Sequence, residues 1–302
     1  MKLYKSFNLN KKFRNSIIAI GNFDGVHLGH QKVLRFAKSK ARKKKTNFGI
    51  LTFDPMPVMF FKKKIINHKI QTKTQKYNSI EDLEVDFLIE KKFDKKFSQT
   101  NYKDFIKKII FRKLKCKFLF VSKNFRFGNK REGNVNRLKN FEKKFNYKTI
   151  VTSPLKMNKK IVSSTLIRKL ITKGKIELVK KLLGRNWSIK GKVTKGFKRG
   201  RKIGFPTCNI KLGNYVLPKF GVYHVKIKSY NLSKYGIANV GVRPTFNGKN
   251  AILEVNIFGF NKNLYNKVID VEFLKFIRKE RKFRGIKDLK SQIKKDIKKI
   301  EN

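Results

Sequence analysis

Ile18-Ala-Ile-Gly-Asn-Phe-Asp-Gly-Val-His-Leu-Gly-His30 is the stretch on which the fold turns. The apolar run 16–20 stops abruptly at Gly21, as a buried strand does. Asp24-Gly25 is a turn signal. Beyond it Val33, Leu34, Phe36, Ala37 and Ala41 recur at helical spacing. His27 and His30 therefore fall between a strand's C-terminal end and a helix's N-terminus, where open α/β sheets bind their ligands. A helix start presents unpaired N–H groups and positive potential to an anion, and Gly29 permits close backbone approach. The chemistry expected is attack on a nucleotide phosphate, with two imidazoles holding the developing charge.

Working outward, strands are expected at 16–20, 48–53, 85–90, 118–121 and 149–153, with helices near 31–43, 102–114 and 134–145. Strand–helix alternation predicts a mainly parallel sheet with helices on its faces. Phe53-Asp-Pro55 closes the second strand, and Ser122-Lys-Asn-Phe-Arg-Phe-Gly128 follows the fourth. In Ile161-Val-Ser-Ser-Thr-Leu-Ile-Arg168, Ser163, Ser164 and Thr165 have N-cap chemistry ahead of an apolar run. Arg168, one turn on, adds a guanidinium, and the combination suits a pyrophosphate.

A helical pattern over 176–183 ends at Gly184, a natural C′ glycine, and the domain boundary is expected there: 1–183 and 184–302. After it the pattern changes to strands and turns. Tyr223, Val225 and Ile227 alternate with polar neighbours, 251–258 and 268–277 are further strands, and Ile286, Leu289, Ile293 and Ile300 mark an amphipathic C-terminal helix. This predicts a small antiparallel β-barrel with a helix packed on it. In the stretch 191–209, Gly191, Gly196, Gly200 and Gly204 alternate with cations, a composition suited to wrapping phosphates. Phe205-Pro-Thr-Cys-Asn209 sets the oxygens of Thr207 and Asn209 on one side of an extended chain, enough for a Mg²⁺ ion that keeps most of its waters. Glu254 lies on the strand face opposite Leu253, Val255 and Ile257.

These motifs, in order along nearly the whole chain, resemble the bacterial bifunctional riboflavin kinase/FAD synthetases, whose N-terminal half belongs to the His-x-Gly-His nucleotidyltransferases. The resemblance implies a Rossmann-like nucleotidyltransferase domain followed by a riboflavin kinase barrel. It implies ATP-dependent phosphorylation of riboflavin to FMN, then adenylylation of FMN by a second ATP to give FAD and pyrophosphate. For adenylyl transfer it implies roles for His27, His30 and Arg168, with Gly21, Phe23, Asp24, Gly29, Phe53, Asn124, Phe127, Ser164 and Thr165 lining the ATP and FMN site. For the kinase it implies Glu254 as the base, Thr207 and Asn209 on Mg²⁺, and Gly191, Gly196, Gly200, Gly204, Phe205, Arg243, Leu264, Tyr265 and Arg278 around ATP and flavin. The chain departs from the family pattern at Ser122 (usually Gly), Asn124 (often Asp), Cys208 (usually Ala), and at Gly259, Asn263 and Asn266 (usually Asp, Asp and Gly).

A formal charge of +58 over 302 residues would by itself suggest nucleic acid. Heavy use of Lys, Asn, Ile, Phe and Tyr, whose codons are A/T-rich, supplies a second cause, and the lysines are spread along the chain. No specific nucleic-acid partner is expected. A basic RNA-binding protein on a relic fold, an adenylyltransferase for another phosphate acceptor, and an enzyme retaining one of two activities stay as alternatives. Cys116 and Cys208 form neither a metal nor a redox pattern, the apolar runs are too short to span a membrane, and the cytoplasm is the expected compartment. Both a monomer and a homo-oligomer fit.

Overall fold

Near-continuous apolar strands imply burial on both faces, and this is how the first half of the chain is built. The computed structural model describes residues 1–194, 204–229, 231–245 and 248–301, with backbone alone for 243–245, 248–250 and 301. The chain divides into two compact units, Met1–Ile66 with Lys73–Ser163, and Asn67–Thr72 with Ser164–Asn302.

The first unit holds six strands: β1 (Lys2–Tyr4), β2 (Ile17–Ile20), β3 (Phe48–Asp54), β4 (Phe87–Lys92), β5 (Phe118–Ser122) and β6 (Lys148–Thr152). They form one parallel sheet in the order β1-β4-β3-β2-β5-β6. Alternation divides the side chains between two cores. Ile18, Ile20, Leu51, Phe53, Ile89 and Val121 face the segment Phe105–Lys113, a π-helix where a continuous helix over 102–114 is expected. Ile17, Ala19, Ile50, Leu88 and Phe120 face the helix Leu28–Lys43. From β2 the chain builds β3 and β4 on one side, then returns to build β5 and β6 on the other. The order therefore reverses between β2 and β5, and the loop leaving β2 is the stretch that carries His27 and His30.

The second unit is a closed antiparallel barrel of β9 (Trp187–Thr194), β10 (Thr207–Lys211), β11 (Gly221–Ser229), β12 (Leu232–Thr245), β13 (Gly248–Ile257) and β14 (Val268–Arg278), in the order β10-β13-β12-β11-β14-β9. The short hairpin of β7 (Lys156–Met157) and β8 (Lys160–Ile161) precedes it in the chain. Ile189, Val193, Ile210, Tyr223, Val225, Val240, Leu253, Val255 and Phe273 are buried in the barrel. Gly184 does end the helix Ile176–Leu183 in a left-handed conformation, but the compact unit begins at Ser164. The reason is packing: the helix Ile176–Leu183 lies on β9 and β14, and the Lys219 N–H donates to the Ile171 carbonyl at 3.2 Å.

Asn67–Thr72 joins the barrel from far away in sequence. The Trp187 indole N–H donates to the Ile70 carbonyl at 2.7 Å, and Arg185 Nη2 donates to Gln71 Oε1 at 2.9 Å. The final helix, Ile286–Glu301, is anchored by Arg278, whose Nε and Nη2 meet the Asp296 carboxylate at 2.8–3.0 Å. The Asp296 side chain is 1% exposed.

Two predictions follow from buried carboxylates. Removing one partner of a buried ion pair costs about 3–5 kcal/mol, so Arg278→Leu should strip hydrogen-exchange protection from Ile286–Glu301, and Arg278→Leu/Asp296→Leu should restore most of it. Glu90, 3% exposed, accepts from Lys5 Nζ at 2.6 Å and pairs with Lys73 Nζ at 2.5 Å. Burial works to raise its pKa, but the two ammonium groups and the Tyr77 hydroxyl hold it below the ordinary carboxylate value. Its stabilisation is then complete above the unfolded carboxylate pKa and is lost as pH falls through the folded one. Urea midpoints should fall less between neutral and acid pH in Glu90→Gln than in the parent.

Candidate functional sites

At the end of β2, the Gly21 N–H donates to the Leu51 carbonyl, keeping the chain on the sheet edge as it turns. Phe23 and Val26 then take positive φ of 47° and 36°, conformations that bulky and β-branched residues rarely adopt. Both side chains are buried, and so is Asp24. His27 is the N-cap of Leu28–Lys43, a helix that begins three residues ahead of the expected start at 31, and its Nδ1 accepts the His30 backbone N–H at 3.2 Å. An accepting Nδ1 assigns the imidazole proton to Nε2. The His27 and His30 rings stack with centroids 3.7 Å apart and planes 17° from parallel, and the Phe23 ring meets His30 edge-on at 5.2 Å. A Cβ on Gly29 would lie 3.1 Å from His27 Nδ1 and 3.2 Å from the Val162 carbonyl, so a side chain there would press on the His27 ring and the neighbouring backbone.

Other residues expected around this site are distributed unevenly. Asn124 is exposed in the turn after β5, beside β2 in the sheet. Phe53 and Phe127 belong to the apolar core, Phe53 against Phe93 and Phe97, and Phe127 against Phe105 and Phe125. Ser164, Thr165 and Arg168 open the helix Ser164–Thr172 of the second unit. There Arg168 Nε donates to the His68 carbonyl at 2.7 Å. Thr52 escaped the sequence reading: its hydroxyl donates to the Asn22 carbonyl at 3.2 Å. It sits inside an apolar strand and gives no periodic signal.

In the barrel, Asn209 of β10 stands directly opposite Glu254 of β13, and Glu254 directly opposite Asn239 of β12. Directly opposed residues of antiparallel strands share a face, so Asn209, Glu254 and Asn239 form one row. Thr207, two residues before Asn209, lies on the same face. Asn209 is buried, and its Oδ1 has no hydrogen-bond partner among the described residues. Asn239 Nδ2 donates to Glu280 Oε1 at 3.2 Å. The sequence reading missed Asn239, because only the strand register sets it beside Glu254.

Cys208 points to the other side of β10, and burial pushes its thiol up to about 11, so it stays protonated at neutral pH. Gly191 lies against Ile210, where a Cβ would come within 2.4 Å of its Cγ2. Gly204 and Phe205 lead into β10. Leu264 and Tyr265 sit in the turn whose Asn266 N–H donates to the Val193 carbonyl at the end of β9. Gly196 and Gly200 lie outside the described residues, and Arg243 is described by its backbone, opposite Asn250. Arg278 is held by Asp296, in a strand that is not a neighbour of β10, β13 or β12. Among the described residues no helix is long and apolar enough to cross a membrane, and no cluster of three or more His, Cys, Asp or Glu side chains is arranged to hold a metal.

Comparison with known proteins finds a family model for each half of the chain. The family model for FAD synthetase matches residues 9–166, and that for riboflavin kinase matches residues 183–302. The bifunctional riboflavin kinase/FMN adenylyltransferase of Buchnera aphidicola subsp. Schizaphis graminum is 42% identical over 302 residues, covering 98% of this chain and 97% of that one. The Bacillus subtilis protein of the same name is 39% identical over 286 residues, covering 93% and 90%. A solved Streptococcus pneumoniae chain described as a macrolide-efflux protein superposes with a TM-score of 0.87 at 29% identity, covering 99% of this chain and 98% of that one. With both family models matched in order and identity sustained from end to end, this chain belongs to the bifunctional riboflavin kinase/FMN adenylyltransferase family.

Proposed function

We propose that residues 1–183 carry out adenylyl transfer to FMN and residues 184–302 carry out phosphorylation of riboflavin, each with the residues assembled above. The observation that supports this division is that the imidazole pair and the Asn209–Glu254 row belong to different compact units.

In the kinase step Glu254 accepts the proton of the riboflavin 5′-hydroxyl as that oxygen attacks the γ-phosphorus of ATP, and ADP leaves. Riboflavin, ATP and then FMN are the substrates this requires. A hard cation suits this face: Asn209 brings a buried carbonyl oxygen without a partner among the described residues, Thr207 a hydroxyl and Glu254 a carboxylate. Mg²⁺ held by Thr207 and Asn209 would supply charge neutralisation of the phosphates. The glycine-rich stretch 191–204, of which 195–203 lie outside the described residues, has a composition suited to the same end.

In the adenylyl step the FMN phosphate oxygen attacks the α-phosphorus of ATP and pyrophosphate leaves, so no enzyme nucleophile is needed. Catalysis then consists of positioning and charge stabilisation. His27 donates from Nε2 because its Nδ1 is occupied by the cap. His30, stacked on it, faces the same developing charge. Ser164, Thr165 and Arg168 hold the pyrophosphate.

Incubation with riboflavin, ATP and Mg²⁺, followed by chromatography, tests the division. His30→Ala should lower FAD formation by about 10²–10³-fold and leave FMN formation intact. Glu254→Ala should abolish FMN formation yet still convert supplied FMN to FAD. Loss of both activities in either folded variant would refute the division. Gly29→Ala should reduce FAD formation about 10-fold or more through displacement of His27, with riboflavin phosphorylation unchanged.

A further inference from the structure

The loop between β2 and the helix Leu28–Lys43 is built on unfavourable backbone. Phe23 at φ 47° and Val26 at φ 36° each occupy a strained region that L side chains rarely enter. Such a conformation persists only where the surroundings over-determine it. Two side chains do so from outside the loop's own backbone. Gln31 Nε2 donates to the Val26 carbonyl at 2.9 Å. The Thr52 hydroxyl donates to the Asn22 carbonyl at 3.2 Å.

Thr52 is fully buried in β3, and its hydroxyl has one proton to give. What directs that proton is Lys76. This lysine lies on the inward face of the helix Lys73–Glu81, one turn before the buried Ile80. It is 9% exposed, and its Nζ donates to Thr52 Oγ1 at 3.3 Å. An ammonium can only donate, so the hydroxyl it approaches must present a lone pair and turn its proton elsewhere, here onto Asn22. The Asn22 carbonyl belongs to the peptide that enters Phe23, and the Phe23 ring abuts His30. Burying a lysine is costly, and an apolar residue would serve the core better.

We propose that Thr52 and Lys76 are positioning residues for adenylyl transfer, a hydrogen-bond relay from the Lys76 ammonium through the Thr52 hydroxyl to the Asn22 carbonyl that holds Phe23, and through it His30, in the reactive geometry. The proposal rests on the assignment of His30 to that reaction. Neither residue touches the reacting phosphates in this scheme.

The test uses the full-length enzyme with both activities measured on each variant. Thr52→Val is isosteric and removes only the hydroxyl. It should lower kcat for FAD formation by about 10²-fold, with little change in KM for FMN or ATP and normal FMN formation. Thr52→Ser should restore most of the rate. Lys76→Met keeps the buried stem and should show the same selective fall in kcat with no drop in melting temperature. Because one relay is broken in either case, Thr52→Val/Lys76→Met should be no slower than the slower single variant. FAD formation at the parental rate in Thr52→Val, or single effects that multiply in the double variant, would overturn the relay. If Thr52→Val loses both activities through misfolding, Lys76→Met and Thr52→Ser still decide, since a normal kcat in Lys76→Met is fatal to the proposal. His30→Ala separates the two levels: full FAD formation there defeats the site assignment itself, whereas its loss alongside an active Thr52→Val defeats the relay alone.

Discussion

The hydrogen bond from the His30 N–H to His27 Nδ1 is the contact on which the proposed adenylyl-transfer site depends. It starts a helix, because an N-cap side chain satisfies one of the first orphan donors. It also sets the tautomer of His27 and brings the two rings into a stack. A serine or aspartate would cap the helix equally well but would leave no imidazole N–H to aim at a phosphate. One local bond thus joins secondary structure to chemistry. The parallel sheet supplies its location, since the strand order reverses beside β2.

A second constraint is charge. The chain carries 77 lysines and arginines against 19 acids, so each carboxylate has many possible partners and few rivals. Several acids serve as internal anchors. Glu90 gathers Lys5 and Lys73, Asp296 holds Arg278, and Glu272 takes Lys228 and Asn186. Glu254 stands apart in being placed by register opposite Asn209 and Asn239.

Much of the architecture was legible because it is written in period and punctuation. Strand–helix alternation gave the parallel sheet, and the period-two pattern around Tyr223 gave the barrel wall. The stretch from Gly21 to His30 announced a strand–turn–helix without any knowledge of what packs on it. Less legible were features made by distant contacts. Three residues of β1 are too few for a period to show, and Asn67–Thr72 reads as an ordinary connection although it completes the barrel unit. Phe53 and Phe127 match motif positions, yet both are spent in the core.

Sequence alone determined the main strands and helices, their order, and the pairing of a histidine motif with a glycine-rich barrel motif, because these depend on neighbours within a few residues. Tertiary structure decided what those elements do to one another. It set Asn209 across from Glu254, tied Arg278 to Asp296, grouped Ser164–Thr172 with the barrel, and placed Thr52 and Lys76 under Asn22. Register, burial and hydrogen-bond direction arise only when segments far apart in the chain meet, and no local pattern encodes which of them will.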